Sequence, residues 1–195
     1  TGLLLALPLT GQESVIRITR EIESRSYIDL TLQALHTFGV EARWQDSKTL
    51  VIPGNQRYCA ADVTVEGDYS AAAFFGAMNA LGSEVAVTGL RADSLQGDRV
   101  YGRHLESLVV GCPDIDLSDC PDLGPVLFAL AALKNGAVFT GTERLELKES
   151  DRGRAMDEEL RKLGGGLIFG DGTVTVPKQA LRYRGIPLSG HNDHR

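Results

Sequence analysis

Apolar and polar positions follow one plan three times along the chain. A run of small apolar residues at helical length gives way to a short polar turn. A short strand-like run then ends near a threonine. The first copy spans residues 2–19 and closes on Val15-Ile16-Arg17-Ile18-Thr19. The second spans 71–89 and closes on Glu84-Val85-Ala86-Val87-Thr88-Gly89, and the third spans 126–141 and closes on Ala137-Val138-Phe139-Thr140-Gly141. This periodicity predicts a helix followed by a strand in each copy. A second pattern occurs twice. Leu35-His36-Thr37-Phe38-Gly39 leads to Thr49-Leu50-Val51-Ile52-Pro53, and Leu160-Arg161-Lys162-Leu163-Gly164 leads to Thr173-Val174-Thr175-Val176-Pro177. The glycine after each helix suits a left-handed C-terminal cap. Gly170-Asp171-Gly172 between apolar runs predicts a hairpin turn. The repeat is about strand–helix–strand–strand, and the fold class is α/β (α+β), with sheets faced by Ala-rich helices.

The remaining segments fill in this plan. Ser26 reads as an N-cap with Asp29 three residues on, followed by a stripe of Tyr27, Ile28, Leu30, Leu32, Leu35 and Phe38. Residues 98–108 form a second amphipathic helix. Residues 151–163 form a third, with Met156, Leu160 and Leu163 facing inward and Leu145-Glu146-Leu147 as a strand ahead of it. Val65-Glu66-Gly67-Asp68 marks a boundary, and Asp68 or Ser70 caps the helix that follows.

Composition narrows the class. The 195 residues include 22 glycines and have a net charge of −6. That balance argues against a broad nucleic-acid footprint. No apolar run, residues 3–9 included, approaches the ~20 residues that span a bilayer. Three cysteines without CxxC spacing give no disulfide framework and no zinc motif, which suits a reducing, cytoplasmic setting. Thr1 opens directly into apolar sequence, and the chain stops at His191-Asn192-Asp193-His194-Arg195. Both ends read as interior sequence of a longer protein.

Three clusters could carry chemistry. Lys148-Glu149-Ser150-Asp151-Arg152 lies where a strand meets a helix start. Ser150 as cap with solvated charges around it is one reading. In the other, Lys148 and Arg152 hold an anion while Glu149 moves a proton. Asp122, between Pro121 and Pro125, is either an N-cap or a carboxylate presented at a helix mouth. Ser24-Arg25-Ser26-Tyr27 is either simple capping or a phosphate site at a helix N-terminus. His191-x-x-His194 reads as a polar loop pair, because no third and fourth ligand stand near it in sequence. Walker-type and GxSxG motifs do not occur.

Together with Gly67-Asp68-Tyr69-Ser70-Ala71-Ala72, Gln96-Gly97-Asp98 and the terminal Asp-His-Arg, these clusters resemble the 5-enolpyruvylshikimate-3-phosphate synthase family along essentially the whole chain. The resemblance implies two similar domains of repeated βαβαββ units. Residues 1–65 would be the C-terminal part of the first domain and 66–195 most of the second. It implies transfer of the enolpyruvyl group of phosphoenolpyruvate to the 5-hydroxyl of shikimate 3-phosphate, with release of phosphate. No metal or organic cofactor is expected. The implied partners are those two small molecules, without nucleic acid or membrane, and the full-length protein would be a monomer in the cytoplasm.

Residue by residue, Ser24 resembles the serine that binds the substrate phosphate. Asp122 resembles the carboxylate that binds and deprotonates the 5-hydroxyl, and Lys148 a lysine that contacts the shikimate substrate. Glu149 resembles the proton donor to the methylene carbon. Arg152 and Arg195 resemble the arginines that hold phosphoenolpyruvate. Arg144 stands where some members carry a substrate-contacting asparagine, so that role is not transferred. An early lysine, a Gly-rich loop, a further arginine and a Ser-Ser-Gln stretch would lie upstream of Thr1, and a late lysine beyond Arg195. The 195 residues alone are therefore expected to be inactive. The competing readings are a UDP-N-acetylglucosamine enolpyruvyl transferase and a non-catalytic truncated domain.

Overall fold

The computed structural model describes residues 1–194, which divide into two units. One comprises Thr1–Glu66 with Asp93–Gly97, the other Gly67–Ala92 with the chain from Asp98 onward.

The first unit starts with a short helix α1 (Gly2–Ala6) and a 3-10 turn (Leu7–Leu9). Strand β1 (Ser14–Arg17), helix α2 (Arg25–Thr37), and strands β2 (Arg43–Trp44) and β3 (Thr49–Ile52) follow. The sheet order is β1-β3-β2, antiparallel throughout, with Ile16 and Trp44 both opposite Leu50. Leu4, Leu35, Val40, Leu50 and Ile52 form its core. Gly39 ends α2 in the left-handed region at φ 75°, as its position after the apolar stripe predicts. The start of α2 differs from expectation. Ser24, not Ser26, is the N-cap, at φ 52° and ψ 47°. The Ser24 carbonyl accepts the Tyr27 N–H at 3.1 Å, which begins the helical path two residues earlier. Ser26 is thereby buried inside the first turn, and Asp29 accepts the Trp44 indole N–H at 2.8 Å instead of completing a capping box.

The second unit contains α3 (Tyr69–Ala80), a 3-10 turn (Gly97–Val100) leading to α4 (Tyr101–Val110), and β4 (Asp114–Asp116). A 3-10 turn (Pro121–Leu123), α5 (Gly124–Leu133), β5 (Ala137–Thr140) and another 3-10 turn (Glu143–Leu147) follow. The last elements are α6 (Arg152–Lys162), β6 (Ile168–Gly170) and β7 (Thr173–Val176). The sheet order is β4-β5-β7-β6, with β4 and β5 parallel and the other pairs antiparallel. From β4 to β7 the chain runs β-α-β-α-β-β, and Asp171-Gly172 turns the β6–β7 hairpin. Helix α5 is apolar on nearly every side and buried, as such a helix must be. Its Phe128 ring packs on Phe139 of β5 with centroids 4.7 Å apart. Asp68 caps α3, accepting from the N–H groups of Ser70 and Ala71.

Three expectations fail here for physical reasons. Residues 84–88 belong to no strand among the described residues, and Asn79 takes both the N–H and the carbonyl of Val85 through its side-chain amide. Leu145-Glu146-Leu147 is a 3-10 turn, not a strand. Only Leu145 needs burial, Leu147 is 81 % exposed, and the Leu145 N–H closes on the Thr142 carbonyl at 3.0 Å. The third expected helix begins one residue late, because Asp151, not Ser150, is its N-cap, accepting the Arg154 N–H at 3.0 Å.

Candidate functional site

Four of the residues singled out by sequence meet in the second unit. Pro121 and Pro125 frame the turn that carries Asp122 into the mouth of α5. The 3-10 turn at Glu143–Leu147 packs Leu145 over Gly124, where a Cβ would lie 3.2 Å from Leu145 Cδ2. That close approach brings the following residues against Asp122. Lys148 Nζ donates to Asp122 Oδ1 at 2.8 Å, and Arg152 Nη1 donates to the same oxygen at 2.6 Å. Arg152 Nη2 also donates to Glu149 Oε2 at 3.0 Å. The Arg152 side chain is 2 % exposed, Asp122 10 %, and Glu149 51 %. One guanidinium at the first position of α6 thus joins a buried carboxylate and a half-exposed one.

A residue of the terminal His191-Asn192-Asp193-His194-Arg195 stretch, to which the sequence alone assigns no role, completes the cluster. Asp193, with its side chain 4 % exposed, accepts from Arg152 Nε at 3.0 Å and from Arg152 Nη2 at 3.1 Å. Ser150 Oγ donates to Asp193 Oδ2 at 2.8 Å. The available signal was general: an arginine that packs into the interior needs carboxylates around it. Burial works against the Arg152 charge, yet its hydrogen bonds to Asp193 and Asp122 outweigh that cost and raise its pKa above the usual guanidinium value.

The other expected residues fall elsewhere. Ser24 lies in the first unit, buried, at the start of α2. Its neighbour Arg25 stacks over the Trp44 ring at 4.1 Å and donates to the Ser47 carbonyl. Arg195 lies outside the described residues. His191 and His194 belong to separate carboxylate groups, with Glu158 and Glu159 and with Glu149 and Asp193. In each group a central carboxylate is already engaged. Arg152 and Ser150 hold Asp193, while Lys162 and the Ser189 N–H hold Glu159. Both read as ion-pair networks. Cys120 is buried, and that burial, with Asp98, Asp119 and Asp116 adding to it, pushes its thiol up to about 12, away from the reactive thiolate.

A cavity of ≈ 360 Å³ opens between the Glu143–Leu147 turn and the β6–β7 hairpin. Four carboxylates, Glu143, Glu146, Asp151 and Asp171, line it against one cation, Arg154, a poor setting for an anion. A smaller one of ≈ 60 Å³ touches Ser150, Arg152 and Asp193 directly.

Comparison with known proteins gives a consistent picture. A sequence model described as "EPSP synthase (3-phosphoshikimate 1-carboxyvinyltransferase)" matches residues 1–195. The 3-phosphoshikimate 1-carboxyvinyltransferase of Clostridium kluyveri is 39% identical and aligns with 100% of this chain and 50% of its own length. That of Clostridioides difficile is 37% identical, with 100% and 48% covered. The chain spans about half the length of the curated relatives it matches. Among solved structures, an EPSP synthase from Acinetobacter baumannii superposes with a TM-score of 0.66 at 20% identity, over 92% of this chain and 46% of that one. This last likeness shows the shared fold.

Proposed function

The chain belongs to the EPSP synthase family, and from that premise we propose that its residues serve the transfer of an enolpyruvyl group from phosphoenolpyruvate to the 5-hydroxyl of shikimate 3-phosphate. The supporting observation is one guanidinium, Arg152, shared between the buried Asp122 and the half-exposed Glu149. The reaction is an addition followed by an elimination, and it needs two proton-handling groups with separate duties. Asp122 takes the 5-hydroxyl proton as that oxygen bonds to the substituted carbon of phosphoenolpyruvate. Glu149 gives a proton to the methylene carbon. Loss of a proton from the new methyl group and departure of phosphate then restore the double bond. Lys148, already against Asp122, faces the shikimate substrate. Arg152 and Arg195 hold the carboxylate and phosphate of phosphoenolpyruvate, for which a guanidinium fork is suited. Ser24 binds the phosphate of shikimate 3-phosphate. The reaction belongs in the cytoplasm. The three cysteines are free thiols, which suits that setting, and among the described residues no helix is long and apolar enough to cross a membrane.

The test is phosphate release by the complete protein that carries this chain. Glu149→Gln should lower kcat by about 100-fold or more while shikimate 3-phosphate still binds. Near-normal turnover in that variant removes Glu149 from its role. A preference for a UDP-amino sugar as acceptor overturns the substrate assignment.

A further inference from the structure

We propose that Asp193 is a positioning residue for Arg152, locking the edge through which that guanidinium meets an incoming anion. This rests on the reading that Arg152 holds phosphoenolpyruvate. A guanidinium has five N–H donors in a rigid plane. Asp193 takes the Nε–H at 3.0 Å and one Nη2–H at 3.1 Å, a two-point fork that fixes both the position and the rotation of the plane. The donors that remain, on Nη1 and on the far side of Nη2, point toward Asp122 and Glu149. The two kinds of partner differ in burial. Asp193 is almost fully enclosed, whereas Glu149 is half in solvent. An arriving anion can therefore displace Glu149 but not Asp193.

Asp193 is itself tied down. Ser150 Oγ donates to the same Oδ2 that receives Arg152 Nε, and the Asp193 backbone N–H donates to the Gly190 carbonyl at 2.8 Å. Ser150 precedes the cap of α6, and Arg152 is the first residue of that helix. The carboxylate thus orients the arginine from a different stretch of chain than the one that bears it. Lysine at position 152 could supply a charge, but it could not use this fork.

The experiment is steady-state kinetics in the complete protein, with Asp193→Asn, Arg152→Lys and the double variant. Asp193→Asn keeps the shape and removes one of the two acceptors. The expected result is a rise of tenfold or more in KM for phosphoenolpyruvate, with KM for shikimate 3-phosphate within twofold of its starting value. In the Arg152→Lys background the same substitution should add nothing further, because the fork is already lost. Raised KM for phosphoenolpyruvate in Arg152→Lys with an unchanged value in Asp193→Asn overturns the positioning role alone. Unchanged KM in Arg152→Lys overturns the assignment of Arg152 to that substrate, and the positioning role with it. Equal rises for both substrates in Asp193→Asn, or additive effects in the double variant, mark a merely structural residue. Should Asp193→Asn not fold, Ser150→Ala reads the same link more gently: a two- to threefold selective rise supports it and no change overturns it.

Discussion

Arg152 concentrates the electrostatics of the cluster in one side chain. Asp122, Glu149 and Asp193 all accept from it, and two of these carboxylates are nearly buried with it. Buried ion pairs add little compared with a well-packed apolar core, but removing one partner strands the other. Arg152→Met should therefore destabilise the fold by about 3–5 kcal/mol. Arg154→Met should cost less than about 0.5 kcal/mol, because Arg154 is 77 % exposed and pairs with Asp151 at the surface. Urea midpoints of the two variants make the comparison, and equal losses would show that the buried network does not set the difference. At this scale the sequence was informative where the cluster is local. Lys148, Glu149 and Arg152 stand within five positions, and their mixed charge at a helix start already suggested a shared task. The partner from the far end was not legible, since nothing in Asn192-Asp193-His194 distinguishes an enclosed carboxylate from a solvated one before the fold closes around it.

Helix α6 shows how one element ties the distant segment in place. Glu159, in its last turn, accepts from Lys162 Nζ at 2.7 Å and from the Ser189 N–H at 2.9 Å, and it meets His191 Nε2 at 2.7 Å. These bonds pin residues 189–191 to the helix, two positions before Asp193. The hydrogen bond from Lys162, with those from Ser189 and His191, lowers the Glu159 pKa from its ordinary 4.5 to about 2. A carboxylate depressed in the folded state stabilises it above the unfolded pKa and loses that contribution as pH falls through the folded one. Glu159→Gln should thus be less stable than the parent near neutral pH, and the gap should close as pH drops from about 4.5 toward 2. Thermal midpoints across that range provide the check, and a gap that stays constant would separate the effect from the charge of Glu159. The elements themselves were largely readable: β3, α5, β5, α6 and the β6–β7 turn lie where periodicity and turn residues put them. The two failed strands share a cause. An apolar run of three to five residues such as 145–147 or 84–88 contains too few positions to separate strand from turn. Its outcome was set instead by one buried leucine in the first case and by the Asn79 amide in the second.

For the whole molecule, the balance of charge is the deciding quantity. The two proposed substrates, shikimate 3-phosphate and phosphoenolpyruvate, each carry a carboxylate and a phosphate, while the chain has a net charge of −6. Anions on such a protein need a local excess of cations. The described cluster does not provide one, because Lys148 and Arg152 face Asp122, Glu149 and Asp193, two cations against three carboxylates. On the proposed reading, Arg195 and cations elsewhere in the complete protein would supply that excess. The relatives, twice as long, have the length to carry them. The isolated 195-residue chain should then bind both substrates weakly and release phosphate from their mixture no faster than a buffer control. The complete protein should turn over at 1–1,000 per second, the ordinary range on the order of most enzymes. Phosphate release by the isolated chain within tenfold of the complete protein would mean that the second unit already holds a sufficient cationic site, and the charge argument would fall.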